Sequence, residues 1–269
     1  MEKRYSEDYT REELMAIEAG RFIKSTDTVI LGTGLPMVAA IFAQKTHAAG
    51  VNFVVESGSI DPILPFAPFT VADPIIGHRA VKTGSLREVL GCLVQRGLVD
   101  MGFLGGAEID QFGNINSTYL GDPRSPKVRF PGSGGANCIA SCVPKILIIT
   151  QHERRRFPAQ VQFITSPGYI DGPDGRKKAG LKIAKPEIIV VTDLCVMEID
   201  CSTGRLRVTK LMPGITVDHV YENTGFRPAL SEHVVVVEPP TEEEVRILRE
   251  EVDPRRVYLK NSPKPSRQR

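Results

Sequence analysis

Two short apolar segments separated by one helical segment constrain the fold of this chain more than any other feature. Residues 28–31 and 52–55 are apolar runs of strand length, and residues 37–49 between them have helical character. A connection of this length favours a parallel pair of strands joined by a right-handed crossover. Further strands are predicted at 99–104, 145–150, 161–165, 187–192, 196–199, 206–210 and 234–237. We therefore predict an α/β fold with a mostly parallel sheet flanked by helices.

The composition is that of a globular chain. Of the 269 residues, 41% are hydrophobic and 25% are charged, which is typical of a folded domain with a sizeable core. No internal repeat or linker divides the chain, so we predict a single domain over residues 1–253. Residues 254–269 include six basic and no acidic residues, and this basic C-terminal tail is expected to be flexible.

The charge balance and the cysteines exclude several classes of protein. Lys plus Arg number 34 and Asp plus Glu number 32, a net charge of +2, and this balance does not favour nucleic-acid binding. No apolar run reaches the roughly 18 residues of a membrane span, and the polar start has no signal-peptide core. The five cysteines include no C-x-x-C pair, so neither a disulfide framework nor a metal site is predicted. We expect a cytoplasmic protein with reduced thiols.

Two turns at the ends of the first two predicted strands carry candidate functional residues. Gly32 and Gly34 follow the first strand, but Met37 stands where a dinucleotide-binding fingerprint needs a third glycine. We interpret these glycines as a tight turn at the carboxyl end of a strand, where ligands approach α/β sheets. Glu56 ends the second strand and is followed by Ser57-Gly58. Its carboxylate is suited to a general base, a metal ligand or a nucleophile, and the alternative is a solvated glutamate at a strand end.

A glycine-rich loop at residues 132–137 is the second candidate. It reads Gly-Ser-Gly-Gly-Ala-Asn, and such small residues allow positive φ angles and a close approach of the backbone to a ligand. Consecutive N–H groups in such a loop can bind an anion or a developing oxyanion; the alternative is an ordinary flexible loop. For the acidic pair Glu108 and Asp110, a turn-forming role of Asp110 and Asn114 is favoured over a metal site.

Several motifs together resemble one family. They are V-V-E-S-G (54–58), G-G-A-E-I-D-Q-F-G-N-I-N-S (105–117), P-K-V-R-F-P-G-S-G-G-A-N (126–137), Q-H-E-R-R-R-F (151–157), S-P-G-Y-I-D-G-P-D-G-R (166–176) and E-N-T-G-F (222–226). In this order they resemble the B subunit of glutaconate CoA-transferase, a family I CoA-transferase. The resemblance extends over about residues 8 to 255.

The resemblance implies the CoA-transferase-like α/β fold and ping-pong covalent catalysis. It makes Glu56 the nucleophile that forms a glutamyl-CoA thioester, and it makes the backbone N–H groups of Gly134 and Gly135 the oxyanion donors. The other residues expected in the substrate-binding loops are Gly32, Gly34, Ser57, Gly58, Asn116, Ser133, Ala136 and Asn137. Coenzyme A is then a substrate, and no bound cofactor is expected.

The resemblance also implies a partner A subunit, in a hetero-oligomer such as A2B2 or A4B4. The substrates would be an acyl-CoA, with a dicarboxylic one such as glutaconyl-CoA as the family default, and a free carboxylate acceptor. Arg79, Arg124 and Arg129 lie in loops that could contact a distal carboxylate, although surface charge is the preferred interpretation of each. The alternatives are an acyl-CoA hydrolase or decarboxylase on the same fold, and a non-enzymatic scaffold chain, which the intact motifs disfavour.

Overall fold

The computed structural model describes residues 3–70 and 72–262. The helices are α1 (Arg11–Gly20), α2 (Leu35–Lys45), α3 (Ala136–Cys142), α4 (Gly175–Lys178), α5 (Val217–Glu222) and α6 (Glu242–Ile247), with single-turn 3-10 helices at Pro74–Gly77 and Arg154–Arg156 and π-helices at Glu88–Val94 and Leu248–Val252. The strands are β1 (Thr28–Leu31), β2 (Asn52–Val55), β3 (Ser59–Ile60), β4 (Lys82–Thr83), β5 (Met101–Leu104), β6 (Glu108–Ile109), β7 (Ile115–Asn116), β8 (Tyr119–Asp122), β9 (Ser125–Arg129), β10 (Lys145–Ile149), β11 (Glu187–Val191), β12 (Cys195–Asp200), β13 (Arg205–Leu211) and β14 (Ala229–Val236). In the described part of the chain, every helix is too short or too polar to span a membrane.

The chain divides into two compact units. The first unit comprises the residues up to Cys92 together with those from Glu238 onward, and the second unit is Leu93–Val237. The sequence-based prediction of one domain over residues 1–253 is not tested by this division and stays a prediction.

The first unit is built on the predicted strand–helix–strand segment, which the structure confirms. Strands β1 and β2 pair in parallel, with Leu31 opposite Val55, and β3 and β4 extend the sheet through antiparallel pairs. Helix α2 begins two residues earlier than predicted, after Gly34 in a left-handed conformation with φ 94°. It also ends earlier, because the Thr46 hydroxyl donates to the Phe42 carbonyl at 2.8 Å and caps the last turn.

A buried ion pair ties α1 to the C-terminal helical region of the same unit. Thr10 and Glu13 form a capping box at the start of α1. The Glu13 carboxylate is 0% exposed and accepts two bonds from the Arg249 guanidinium, at 2.6 and 2.9 Å. Burial acts to raise the pKa of Glu13, but the bonds from Arg249 and the Thr10 N–H outweigh burial and lower this pKa. The carboxylate therefore stays ionised inside the unit.

The second unit contains a mixed sheet in the order β14-β13-β12-β11-β10-β5. Strands β5, β10 and β11 are parallel, β11, β12 and β13 are antiparallel neighbours, and β13 and β14 are again parallel. Two separate hairpins, β6–β7 and β8–β9, lie in the segment between β5 and α3. The predicted α/β class is thus confirmed. A strand predicted at 161–165 does not form, and Ser166 makes only an isolated bridge to Ile115.

Residues 254–262 of the predicted tail form turns next to Asp253, and the expected flexibility of the tail stays a prediction. The Asp253 carboxylate accepts from the backbone N–H groups of Val257, Tyr258 and Leu259 at 2.8 to 2.9 Å. Leu259 is 1% exposed. These bonds order the backbone that follows Asp253. Residues 263–269 of the predicted tail lie outside the described residues.

Candidate active site

The first group of predicted site residues lies at the carboxyl edge of β1 and β2 in the first unit. Because Leu31 pairs with Val55, the residues that follow, Gly32 and Glu56, leave the sheet at the same edge. Glu56 and Ser57 occupy the centre of a turn in which the Gly58 N–H donates to the Val55 carbonyl at 2.9 Å. Glu56 is half-buried and Ser57 is exposed. This turn holds the Glu56 carboxylate at the edge where α/β sheets bind ligands.

Gly58 is required by the geometry of this turn. Its φ is 120°, which side chains rarely adopt, and an added Cβ would overlap the Gly84 carbonyl oxygen and lie 2.8 Å from its carbon. The Gly84 N–H donates in return to the Gly58 carbonyl at 2.8 Å. This close backbone packing holds the turn that carries Glu56. Gly34 is needed for conformation alone, since its φ is 94° and an added Cβ would meet only Pro36, at 3.5 Å.

The glycine-rich loop is held firmly inside the second unit. The Gly132 N–H donates to the Ser117 carbonyl at 2.8 Å, and the Ser117 hydroxyl donates to the Gly132 carbonyl at 3.0 Å. At the other end of the loop, Ser133 caps α3: its carbonyl accepts from the Ala136 N–H at 2.9 Å and its hydroxyl from the Asn137 N–H at 3.0 Å. These bonds anchor both ends of the loop, which favours a functional loop over an ordinary flexible one.

The two predicted oxyanion donors differ in their surroundings. Gly134 is exposed in a left-handed conformation with φ 49°, and no acceptor for its N–H is found among the described residues. Gly135 is buried at the start of α3, where its carbonyl accepts from the Ile139 N–H at 3.0 Å. The loop therefore presents at least one backbone N–H outward.

Asn116, which is predicted to belong to a substrate-binding loop, bonds to its neighbours within the protein. It is 0% exposed, and its amide nitrogen donates to the Glu108 carboxylate at 2.7 Å and to the Tyr119 carbonyl at 2.8 Å. Its amide oxygen accepts from the Thr118 N–H at 3.0 Å. Every polar atom of the side chain is thus bonded within the protein, which supports a positioning role. Asn137 is exposed and donates to the Thr165 carbonyl at 3.0 Å.

The three arginines considered for a distal carboxylate are all exposed. Arg79 lies in the first unit and has a left-handed backbone with φ 54°. Arg124 and Arg129 lie on the β8–β9 hairpin of the second unit. Contact of any of them with a substrate stays a prediction.

No cluster of three or more His, Cys, Asp or Glu side chains suited to a metal ion occurs within residues 3–70 and 72–262. Asp110 instead forms the predicted turn, because its carboxylate accepts from the N–H groups of Phe112 and Asn114 at 3.0 and 3.1 Å. Burial raises the pKa of Asp110. The Asn114 amide then bonds to both backbone groups of Ile170, at 3.0 and 2.8 Å, and holds this β-branched residue at φ 63°.

Comparison with known proteins decides the family. A family model described as "Coenzyme A transferase" matches residues 13–223. The chain is 39% identical to the B subunit of 3-oxoadipate CoA-transferase from Pseudomonas knackmussii, over 90% of this chain and 92% of that protein. It is 36% identical to the B subunit of glutaconate CoA-transferase from Acidaminococcus fermentans, over 94% of this chain and 96% of that protein.

The chain belongs to the coenzyme A transferase family.

Solved structures agree with this assignment. The crystal structure of glutaconate coenzyme A-transferase from Acidaminococcus fermentans matches with a TM-score of 0.88, covering 95% of this chain and 98% of that one. The decarboxylase AibA/AibB matches with a TM-score of 0.81 at 25% identity, covering 96% of this chain and 100% of that one. The predicted resemblance to the B subunit of glutaconate CoA-transferase, the predicted fold and the predicted enzyme class are thereby confirmed.

Sequence reasoning missed two buried groups that organise this CoA-transferase chain. His152, 5% exposed, bonds through its two ring nitrogens to the hydroxyl groups of Thr192 and Thr224, at 3.0 and 2.9 Å. Its ring stacks on Phe157 with centroids 4.4 Å apart. Burial, assisted by the charge of His219, lowers the pKa of His152 to about 4, so the ring is neutral at pH 7.

The second missed group is Arg176, which is 0% exposed. Its guanidinium donates to the carbonyls of Ala140 and Ser141 in α3 at 2.9 and 3.3 Å, and to those of Pro167 and Gly168 at 2.9 and 3.0 Å. Burial lowers the pKa of this guanidinium. Arg176 thus fixes the end of the helix whose start carries the glycine loop. The motifs 151–157 and 166–176 contained both residues, but only their spatial partners reveal these roles.

Proposed function

We propose that this chain is the B subunit of a CoA-transferase that moves CoA between an acyl-CoA and a free carboxylate through a glutamyl-CoA thioester on Glu56. The observation that carries the proposal is the Glu56 turn: a half-buried carboxylate at the carboxyl edge of a parallel strand pair. The turn depends on Gly58, whose φ of 120° and contact with Gly84 leave no room for a side chain. Such rigidity suits a nucleophile that must be held at attack distance.

The reaction needs no group beyond the carboxylate and backbone donors. The Glu56 carboxylate attacks the thioester carbonyl, the C–S bond breaks, and a mixed anhydride and CoA thiolate form. The thiolate attacks the glutamyl carbonyl, which releases the first acid and leaves the glutamyl-CoA thioester. An acceptor carboxylate then reverses these steps and restores the Glu56 carboxylate. Positioning of the two reactants can contribute about 7–11 kcal/mol to lowering the barrier.

Backbone N–H groups of the glycine loop are the proposed oxyanion donors. The outward N–H of Gly134 and the anchoring of the loop through Ser117 and Ser133 support this role. One preorganised donor is worth about 3 kcal/mol of transition-state stabilisation. Gly135 is the second proposed donor.

The active enzyme is proposed to require an A subunit. The 3-oxoadipate and glutaconate relatives are both named as B subunits of their enzymes, which supports this requirement. Glutaconyl-CoA or another dicarboxylic acyl-CoA is the proposed acyl donor, coenzyme A is a substrate and no bound cofactor is required. We propose an A2B2 or A4B4 assembly in the cytoplasm.

Trapping of the intermediate tests the mechanism. The chain, co-purified with its A subunit, is exposed to glutaconyl-CoA or 3-oxoadipyl-CoA and treated with borohydride, which reduces a glutamyl thioester to an alcohol. Mass spectrometry of the peptide containing Glu56 should show the loss of one oxygen and the gain of two hydrogens at that residue. Arg87→Gln, at an exposed position of the same unit, is the control and should still trap, whereas Glu56→Gln should not. A complex that turns over the thioester with an unmodified Glu56 would refute covalent transfer.

The second candidate function is decarboxylation or hydrolysis of an acyl-CoA. The similarity to the decarboxylase AibA/AibB, which extends over 96% of this chain, supports this second candidate. A transferase consumes one equivalent of acyl-CoA per site on its own and turns over further only when an acceptor carboxylate is present. A hydrolase releases CoA thiol without an acceptor, and a decarboxylase releases carbon dioxide while the thioester stays intact. Measuring these products with and without acetate separates the three activities.

A further inference from the structure

A cavity of about 330 Å³ in the second unit is lined by side chains that the proposed reaction does not use. Its wall is formed by the β12–β13 hairpin, the end of α5 with the loop that follows it, and Gln111. The charged residues of the lining are Asp200, Arg205, Arg207 and Arg227. Three guanidinium groups and one carboxylate give this small cavity, the arginine cavity, a net positive charge.

Within residues 3–70 and 72–262, no direct ion pair neutralises a guanidinium group of the arginine cavity, although the charge of Arg207 helps to lower the pKa of Asp200. None of the three guanidinium groups forms an ion pair within the described part of the chain, and the Nε of Arg207 is buried without an acceptor there. Asp200 is engaged by its own turn, because its carboxylate accepts from the N–H and hydroxyl of Ser202 at 2.8 and 2.6 Å. A buried donor without an acceptor destabilises the folded protein. An anionic ligand that accepts a hydrogen bond from this donor therefore gains more binding free energy than it would at an ordinary exposed surface.

Aromatic rings orient two of the three arginines. The Arg227 guanidinium lies 4.3 Å above the centre of the Tyr221 ring, and that of Arg205 lies 5.5 Å from the centre of the Phe112 ring. A guanidinium that stacks on a ring keeps the N–H groups at its edge available for the oxygens of a carboxylate or a phosphate. Phe226 lines the same cavity and supplies apolar surface for a flat group attached to the anion.

The arginine cavity lies away from the sheet edge that carries the glycine loop. Strand β12 is antiparallel to β11, so the turn from Asp200 to Arg205 lies at the amino ends of β10 and β11. Helix α3 belongs to the crossover between the parallel strands β5 and β10, and its C-terminal end leads into β10. The glycine loop at its start therefore lies toward the carboxyl edge. The two sites are separate.

We propose that the arginine cavity binds a small anion, a carboxylate or a phosphate, joined to a flat apolar group. Its volume is at the lower end of the range for small-molecule sites, about 300–1,000 Å³. The guanidinium rims bind the oxyanion, and Phe226 packs against the flat group. This ligand is independent of the CoA substrates.

Isothermal titration calorimetry of the full chain tests the proposal with four probes. Inorganic phosphate and AMP form the phosphate arm, and acetate and benzoate form the carboxylate arm. We expect one saturable site for AMP or benzoate, with the simple ion of the same arm binding more weakly. The arm that binds more tightly identifies the anion. Arg227→Gln should weaken binding by about tenfold or more, since a charge-assisted contact is lost.

Two further variants control this experiment. Arg207→Lys keeps the charge but loses the planar fork, and should also weaken binding, while the exposed Arg87→Gln in the other unit should leave it unchanged. Melting temperatures verify that each variant is folded. The proposal is overturned if none of the four probes binds saturably, or if Arg227→Gln and Arg87→Gln bind the probes alike.

Discussion

Acidification should destabilise this chain through His152. The ring is buried and neutral, and its pKa is about 4 in the folded chain against 6.5 for an ordinary histidine. Because the folded pKa is the lower one, the unfolded chain takes up the proton first. The stabilising contribution is complete above pH 6.5 and is lost as pH falls toward 4. Its full size is about 3 kcal/mol, of which about 1.4 kcal/mol is lost by about pH 5.5 and about 2 kcal/mol by about pH 5.

Urea unfolding of the wild type and His152→Gln, followed by far-UV circular dichroism, measures this contribution. Glutamine keeps polar atoms for the Thr192 and Thr224 hydroxyls but does not titrate. The free energy of unfolding of the wild type should fall between about pH 7.5 and 5 by about 2 kcal/mol more than that of the variant. His219→Gln is the control, because His219 is half-exposed and only assists the pKa shift of His152. Equal pH dependence in the wild type and His152→Gln would refute the reasoning.

Three further predictions concern buried geometry. Gly58→Ala should lower the free energy of unfolding by about 2 kcal/mol or more and abolish turnover, because Gly58 has a φ of 120° and an added Cβ would overlap Gly84. Gly77→Ala is the control, since nothing lies within 4 Å of the added Cβ, and it should match the wild type in urea unfolding and in turnover. Arg249→Gln should cost about 3 kcal/mol or more in urea unfolding, since it leaves the buried Glu13 carboxylate without its bidentate partner; an unchanged midpoint would show that water replaces Arg249. Arg176→Met should lower the free energy of unfolding by about 3 kcal/mol or more and lower kcat more than KM, since the carbonyls at the end of α3 lose their donor. A loss of stability with unaltered kcat would show that Arg176 does not position the glycine loop.

Elements specified by neighbouring residues were predictable. The pair β1–β2 with α2 between them followed from apolar runs and their spacing, and the capping box of Thr10 and Glu13 needs residues only three apart. The turn of Asp110 was predictable for the same reason. The C-terminal end of α2 was not predictable, because the Thr46 hydroxyl competes for the Phe42 carbonyl.

The candidate site was predictable in its main residues but not in their supports. Glu56 could be found because it directly follows a buried strand, and the glycine loop because its composition is unusual. The internal bonds of Asn116 were not predictable, since they depend on burial and on Glu108, eight residues away. A polar residue in a loop shows its partner only once the loop is folded.

The sequence by itself determined the strand–helix–strand segment of the first unit, the α/β class and the family, because these depend on local periodicity and on motifs that are contiguous in the chain. Tertiary structure alone decided which charged and polar groups are buried and what they bind. Arg176 lies 36 residues from the Ala140 carbonyl, and His152 lies 72 residues from Thr224. The arginines of the cavity belong to a strand and a distant loop. The roles of Arg176 and His152 arise from burial, which strengthens electrostatic interactions and is a property of the folded chain rather than of any segment.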